Sequence, residues 1–291
     1  MLEFEKIIRI DIESKEFPEK LRNIPNPPSQ VYCVGDIELL HQDSIGVVGS
    51  RKFTMYGKGV AQMVGRRLAQ AGIPVVSGLA SGIDAYAHQG VVQAGGKGIA
   101  VLGSGVKMMS PIKNRPLMWE LLEAGGLLLS EYEPERPAEP FTFPERNRII
   151  SGLSHSLIVV EANHNSGALI TAQYANEQGR QVYAVPGNIN SQFSLGSNLL
   201  IRDGATPLIV IDDVIRDLGA EVAVSEEVKQ ALGEAELKIY NEVRKYNGVT
   251  ADRVAAALNM RVAQVNAIAT VLEIKGVLEM YGGKIHLAKP L

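Results

Sequence analysis

Between residues 45 and 219 the sequence alternates short apolar runs with longer stretches of helical character. The apolar runs that fit strands are IGVVGS, PVVSG, GIAVLGSG, LLLSEY, SLIVVEA, QVYAVPG and TPLIVID. Runs this short, separated by helices, are typical of a parallel sheet that is buried on both faces. The pattern therefore predicts an α/β fold, namely an extended Rossmann-like, doubly wound and mainly parallel sheet of about seven strands.

The remaining sequence divides into three further segments. Residues 1–44 contain several prolines and little periodicity, so we expect an N-terminal extended strap laid on the main domain of residues 45–219. Residues 220–233 are interpreted as a linker. Residues 234–291 fit three helices, the second capped by Thr250, and a hairpin around Gly282-Gly283, which is the topology of a small C-terminal winged-helix-like domain. The third helix has too few positive charges for reading a major groove, so we expect this domain to contact protein.

Composition narrows the protein class. The 291-residue chain has one cysteine, Cys33, and therefore neither an internal disulfide nor a multi-cysteine metal site. Its start does not resemble a signal peptide and no apolar run is long enough to cross a membrane, so we expect a cytoplasmic protein without membrane insertion. The net charge is −3, yet residues 51–150 hold 12 Lys+Arg against 8 Asp+Glu. Affinity for an anion would therefore come from a local patch.

Small and polar residues gather where the predicted strands end. The carboxyl ends of parallel strands meet at one edge of a sheet, and ligands bind there. Small residues let backbone N–H groups approach a phosphate closely, and an arginine can hold a phosphate with two parallel hydrogen bonds. The candidates at this edge are Gly49, Ser50, Arg51 and Lys52 after the first strand, and Ser77, Gly78, Ser81, Gly82 and Asp84 after the second. These residues predict a phosphate-binding edge, although tight turns alone also require glycine.

The segment PERNRIISGL predicts a helix that enters the same edge, with Pro144 in its first turn. Arg146 and Arg148 are two positions apart and cannot share one helical stripe. We expect one of them to reach a ligand and the other to pair with Glu131 or Glu161. Further candidates for an extended groove are Asn147, Lys113, Arg115 and the aromatic residues Phe53, Phe141 and Phe143, which either stack on bases or pack in the core.

An enzymatic interpretation has two starting points. Asp84 and His88 are four residues apart beside Ser81, as in a nucleophile–base pair, and Glu131 with Glu161 could form an acid–base pair. Each has a structural alternative: a helix cap, a buried histidine, and glutamates paired with arginines. The first turn, GSRKFTMYG, is not a dinucleotide fingerprint, and the chain has no GxxxxGK[ST] loop. We therefore expect neither catalysis nor a cofactor.

Five segments resemble the DNA-processing protein A (DprA/Smf) family: IGVVGSRKFTMYG, VVSGLASGIDAYAHQGVVQAGGKGIAVLGSGV, FPERNRIISGLS, VVEANHNSGALITAQYANEQGRQVYAVPGNI and GSNLLIRDGA. They follow the family order across roughly residues 11–218. The resemblance implies an extended Rossmann fold that forms homodimers, binds single-stranded DNA without sequence preference and delivers it to the RecA recombinase. No catalytic activity is established for the family.

The resemblance also assigns site residues by position. The phosphate contacts that it implies are Gly49, Ser50 and Arg51 in the first turn, Arg146, Asn147 and Arg148 on the helix, and Ser166 with Gly167 in the family's Ser-Gly turn. Ser81 and Asn165 stand where the family often carries arginine, and His155-Ser156 lies near a site that is often basic. Fewer positive charges predict either weaker, more salt-sensitive DNA binding or reliance on the dimer for affinity.

Two hypotheses of function follow. The first is a single-stranded DNA-binding recombination mediator that protects incoming DNA and loads RecA during natural transformation. The alternative is a nucleotide-binding or nucleoside-monophosphate-processing enzyme of related fold, similar to the cytokinin-activating phosphoribohydrolases. Their Pro-Gly-Gly-x-Gly-Thr turn is missing from the comparable segment, NHNSGALITA.

Overall fold

A computed structural model describes residue 4 and residues 6–220, 231–246 and 248–288. The chain divides into two compact units, Met1–Val222 and Ala223–Leu291. The strands of the first unit are β1 (Ile8–Asp11), β2 (Gln30–Gly35), β3 (Ile45–Val48), β4 (Val75–Ser77), β5 (Gly98–Val101), β6 (Leu127–Ser130), β7 (Ser156–Val159), β8 (Gln181–Ala184) and β9 (Thr206–Pro207). Its α-helices are α1 (Glu19–Arg22), α2 (Met55–Gln70), α3 (Ile83–Gln93), α4 (Arg115–Glu123), α5 (Thr142–Leu153), α6 (Gly167–Glu177), α7 (Leu195–Arg202) and α8 (Ile211–Asp217).

The nine strands form one sheet in the order β1-β2-β6-β5-β4-β3-β7-β8-β9. All neighbours from β6 to β9 along this order are parallel, whereas β2 is antiparallel to both β1 and β6. The predicted doubly wound, mainly parallel α/β fold is therefore confirmed, with seven parallel strands after residue 45. The strand order reverses at β3, because the chain adds β4 to β6 on one side of it and β7 to β9 on the other. This is the topological switch point of the sheet, where ligands of such folds bind.

Both faces of the sheet are covered, which explains the apolar runs. Every residue of β3, β5, β6 and β7 is buried. Val48 faces a core that includes residues of α1, α5 and α6, while Val47 faces a core built with α2, α3 and α8. The alternation of neighbouring residues between the two cores follows from the period of two in a strand.

Residues 1–44 differ from the expected strap, because part of this segment enters the sheet. β2 pairs with β6 in register Tyr32↔Ser130, and β1 adds outside β2. Phe17 and Leu21 are buried in the same core as α5. The apolar run VYCV of β2 makes this possible, since four consecutive buried residues belong in a sheet interior.

The second unit contains the helices α9 (Glu234–Arg244), α10 (Ala251–Leu258) and α11 (Val262–Ile274), and the antiparallel strands β10 (Leu278–Tyr281) and β11 (Lys284–Leu287). The predicted three helices and hairpin are thus present. Thr250 caps α10 by accepting from the N–H of Arg253, and Gly282 and Gly283 adopt positive φ angles of 59° and 72°, as a two-residue hairpin turn requires. Most of the predicted linker, residues 221–230, lies outside the described residues.

Within the described ranges no single helix is long and apolar enough to span a membrane. The helices α10 and α11 meet the criteria of length and composition only as a pair, and that pair is bent by 112°.

The close packing of α2 on α3 yields a test of the fold. A Cβ atom at Gly65 would lie 2.1 Å from the carbonyl oxygen of Ala87, whereas a Cβ at Gly59, also in α2, would have no atom within 4 Å. We expect Gly65→Ala to lower the free energy of unfolding by about 1–3 kcal/mol through overpacking. Gly59→Ala should raise it by about 0.5–1 kcal/mol, because alanine loses less backbone entropy in a helix. Urea unfolding of both variants measures the difference, and equal shifts would contradict the described packing.

Candidate nucleic-acid interface

A cleft of about 760 Å³ opens at the switch point, beside the carboxyl ends of β3 and β7. Most of its lining comes from the turn after β3, the loop before α5, the buried side of α5 and the segment from the loop after β7 into the first turns of α6; Ala80, Asp84 and Ser110 contribute from other segments. The lining residues relevant to binding are Gly49, Ser50, Arg51, Lys52, Asp84, Glu139, Pro140, Phe143, Arg146, Asn147, Asn163, Asn165, Ser166 and Gly167. The structure therefore brings together eight of the eleven predicted site residues and leaves Arg148, Lys113 and Arg115 out of the lining.

Two buried carboxylates hold the turn after β3, residues 49–54, which we call the cationic turn. Asp84 accepts hydrogen bonds from the N–H groups of Gly49, at 3.3 Å, and Gly78, at 3.2 Å. At the other end, Glu161 accepts from the backbone N–H of Thr54 at 2.9 Å and from its hydroxyl at 2.6 Å. Both ends of the turn are thus fixed by hydrogen bonds to charged acceptors, which are stronger than those to neutral ones.

Gly82 explains how closely α3 approaches the cationic turn. It has a φ of +96°, and a Cβ atom there would lie 2.4 Å from the carbonyl oxygen of Ser50. Only glycine combines this backbone conformation with this contact. The predicted glycine-rich strand ends are therefore needed for packing here, and they bring the N-terminus of α3 against the turn.

Arg51 and Lys52 extend from the cationic turn into solvent. Both side chains are exposed, and neither forms an ion pair with the residues that the structure describes. The guanidinium of Arg51 lies 5.1 Å from the centroid of the Phe143 ring, so the arginine rests on the aromatic wall of the cleft. Two cations on a fixed turn, with free hydrogen-bonding capacity, are suited to bind phosphate.

Arg146 is part of the floor of the cleft. It is 4% exposed and donates from Nη1 to the carbonyl oxygens of Gly78, at 2.9 Å, and Val101. Burial lowers the pKa of Arg146 to about 10, and the nearby charge of Asp84 acts in the opposite direction. Burial likewise raises the pKa of Asp84, partly offset by Arg146 and by the backbone N–H donors. Arg146, one of the two arginines of which we expected one to reach a ligand, is therefore engaged in joining the ends of β4 and β5.

Arg148 points to the other side of α5. Its Nη1 and Nη2 atoms form a bidentate ion pair with Glu131, at 2.7 and 2.6 Å. Its Nε also donates to the carbonyl oxygen of Asn26 at 2.8 Å, which ties the N-terminal segment to the edge of the sheet. The expectation that one arginine of this helix pairs with a strand-end glutamate agrees with this geometry, and Arg148 is the residue that does so.

Asn147 and the first turn of α6 complete the neutral part of the cleft. The side-chain amide of Asn147 donates to the carbonyl oxygen of Gly167 at 3.3 Å, which connects α5 to α6. Ser166 caps α6, and Gly167 is exposed with no atom within 4 Å of a hypothetical Cβ. The helix N-terminus is therefore open to the cleft and offers backbone N–H donors and a partial positive charge.

Lys113 and Arg115 lie at the start of α4. Of the segment 110–115, which leads into this helix, Ser110 alone lines the cleft. Lys113 is exposed, whereas Nε of Arg115 is buried. The three predicted aromatic residues also differ: Phe143 lines the cleft, Phe141 is exposed beside Arg136, and Phe53 packs edge-on against Tyr86.

The carboxylates of the enzymatic interpretation are engaged in structural contacts. Glu131 pairs with Arg148, Glu161 fixes Thr54, and Asp84 accepts from two backbone N–H groups. His88 is fully buried outside the cleft lining, and burial lowers its pKa to about 4. Among the described residues no group of three or more His, Cys, Asp or Glu side chains could hold a metal ion.

Sequence reasoning missed several lining residues. Ile170 and Thr171 follow Gly167 by three and four positions, so the helical period could have indicated them. Ser110, Ala138, Glu139 and Pro140 come from loops distant in sequence. No sequence signal places these loops beside the cationic turn.

The fold and the cleft together define a class: Rossmann-like α/β proteins with a cleft at the switch point of the sheet, the place where ligands of such folds bind. Comparison with known families is more specific. The model of the family described as "DNA recombination-mediator protein A" matches residues 9–219. The chain therefore belongs to this family, as its resemblance to DprA/Smf proteins predicted.

Similar proteins come from several bacteria. The chain is 40% identical to Protein Smf of Escherichia coli over 209 residues, which are 72% of this chain and 56% of that protein. It is 40% identical to DNA processing protein DprA of Bacillus subtilis over 210 residues, 72% of this chain and 70% of that protein. The match thus spans little more than half the length of the E. coli relative and about 70% of the length of the B. subtilis relative.

Solved structures support the same family. The crystal structure of DprA from Streptococcus pneumoniae superimposes with a TM-score of 0.68 and 37% identity, covering 76% of each chain. DNA processing protein A from Helicobacter pylori gives a TM-score of 0.65 at 29% identity, covering 73% of this chain and 95% of that one. The Helicobacter pylori protein has a "unique single-stranded DNA binding mode".

The different roles of two cleft arginines can be tested by stability. We expect Arg146→Leu to lower the free energy of unfolding by about 3 kcal/mol or more, because it leaves Asp84 as an uncompensated buried charge. Arg51→Leu should change it by about 1 kcal/mol or less, since Arg51 is exposed. Urea denaturation measures both, and Asp84→Asn added to Arg146→Leu should restore part of the loss. Similar effects of the two single substitutions would contradict the assigned roles.

The buried histidine predicts a pH dependence. The folded-state pKa of His88 is about 4, against an ordinary value of 6.5. Because the folded pKa is depressed, the stabilisation is complete above pH 6.5 and is lost as the pH falls towards 4, by about 3 kcal/mol in total. His88→Gln removes this titration. We expect the loss of unfolding free energy over that pH range to be smaller in the variant, and parallel pH profiles would contradict the assignment.

Proposed function

We propose that this protein binds single-stranded DNA in the cleft and acts as a recombination mediator without catalysis. The observation that carries the proposal is the cationic turn: Arg51 and Lys52 are exposed and unpaired among the described residues, yet the turn that holds them is fixed at both ends by Asp84 and Glu161. Because the turn is already ordered, binding a phosphate costs little conformational entropy. The proposed contacts are Gly49, Ser50, Arg51, Lys52, Asn147, Ser166 and Gly167, with Arg146 as a support below them.

The shape of the cleft favours a strand over a single nucleotide. Its lining includes the cationic turn, Phe143, Pro140 and the open N-terminus of α6. Phosphate donors therefore come from two separate segments, and apolar residues line the same cleft. Alternating phosphate contacts and apolar or aromatic surface are what single-strand binders provide.

The domain organisation supports the same proposal. We propose a main domain that holds DNA, a linker around residues 220–233 and a winged-helix-like unit that contacts protein. The described part of α11 contains no lysine or arginine and exposes Val271 and Ile274, which suits a protein contact better than duplex DNA. We further propose that the protein acts as a cytoplasmic homodimer and delivers the bound strand to RecA during transformation. Membership in a recombination-mediator family supports this step.

A pair of charge reversals tests the DNA site. Arg51→Glu should reduce affinity for a fluorescent oligothymidylate strongly and lower the salt slope by about 0.7 or more, since at least one phosphate contact is lost. The matched control is Arg66→Glu, which changes the net charge equally at an exposed position near the C-terminal end of α2. Fluorescence anisotropy at several salt concentrations measures both variants.

Equal losses in the two variants would show that only overall charge matters and would contradict the proposed site. Preference for duplex over single-stranded DNA would contradict the proposed ligand. Release of ribose 5-phosphate from a nucleoside monophosphate would instead support the enzymatic alternative. Loading of RecA is a separate step, measured as RecA filament formation on DNA coated with single-strand binding protein.

A further inference from the structure

A second aromatic and cationic group lies at the same edge of the sheet, outside the cleft. Phe53 directly follows Lys52 in the cationic turn, and its ring meets that of Tyr86 edge-on, with centroids 4.9 Å apart and an interplanar angle of 74°. The Nζ atom of Lys58 lies 5.0 Å from the centroid of the Tyr86 ring. All three side chains are partly exposed.

Packing explains only part of this arrangement. Phe53 and Tyr86 do contact the core between the sheet and the helices α2 and α3. The hydroxyl of Tyr86, however, has no hydrogen-bond partner among the described residues, and Lys58 forms no ion pair with them. Packing of the Tyr86 ring in the core does not by itself require the ammonium group of Lys58 above that ring. A ring with a cation beside it is what single-strand binders present to a base and its phosphate.

The group begins in the cationic turn that lines the cleft. Phe53 adjoins Lys52 in sequence, and Tyr86 follows the lining residue Asp84 on α3. A strand that leaves the cleft beyond Lys52 would have to follow the cationic turn through Phe53 to reach the Tyr86 ring. Arg51, Lys52 and Lys58 form no ion pair with the described carboxylates.

From this geometry we infer a base-stacking subsite formed by Tyr86, Phe53 and Lys58, which extends the DNA path beyond the cleft. A nucleobase stacks on the Tyr86 ring, and the ammonium group of Lys58 turns to the adjoining phosphate. Stacking is tolerant of sequence because every base has a π-face. The inference rests on the proposed function, and its test separates the two.

The test is the dependence of affinity on oligonucleotide length. Anisotropy titrations use labelled oligothymidylates from about 4 to about 16 nucleotides, the range of site sizes of single-strand binding modules. We expect Tyr86→Leu, which keeps apolar contact with Phe53, to bind the shortest oligonucleotides like the wild type and the longest at least about fivefold more weakly. Tyr86→Phe keeps the ring and should behave like the wild type at every length.

The control for the substitution itself is Tyr174→Leu, at a partly buried tyrosine of α6 outside the cleft lining. Lys58→Gln should lower the salt slope by about 0.7 for the long oligonucleotides only. Parallel length profiles of Tyr86→Leu and the wild type would overturn the subsite and leave the cleft standing. A wild-type protein that binds no length would overturn the proposed function and the subsite with it.

Discussion

Two buried carboxylates that accept backbone hydrogen bonds determine the geometry of the cleft. Asp84 and Glu161 hold opposite ends of the cationic turn. A buried charge is costly unless its hydrogen bonds are satisfied, so each carboxylate fixes the backbone around it. The turn cannot shift without leaving one of them unsatisfied. The positions of Arg51 and Lys52, the exposed cations of this turn, therefore depend on the buried carboxylates Asp84 and Glu161.

Two glycines permit this arrangement. A Cβ atom at Gly57 would lie 2.1 Å from Oε2 of Glu161, and a Cβ at Gly78 would lie 2.6 Å from Nη2 of Arg146. The buried charged groups thus occupy the space that side chains at these positions would take. Gly57 in α2 and Gly78 after β4 therefore leave room for charged groups below the surface.

The periodicity of the sequence predicted the parallel sheet, because strands buried on both faces produce apolar runs without alternation. It missed β1 and β2, whose flanking prolines obscured the run VYCV and whose place in the sheet depends on pairing with the distant β6. The strand-end positions predicted the cationic turn. The spacing of Arg146 and Arg148 predicted that they diverge, but which one is buried depends on how α5 lies across β4 and β5. That orientation is set by tertiary packing, which no local pattern contains.

The distribution of charge in the cleft bears on how DNA binding would respond to salt. Only contacts by lysine and arginine release counterions from the phosphate backbone, so only they make affinity depend on salt. In the lining Arg51 and Lys52 are the exposed cations among the described residues, while Asn165 and Gly167 contribute neutral groups. Under the proposed function, hydrogen bonds from neutral donors and stacking on aromatic rings would therefore supply a large share of the affinity. Such a site would hold a strand largely through contacts that persist at high salt. This corrects the expectation of more salt-sensitive binding, because each missing cationic contact lowers the affinity but also lowers the salt slope.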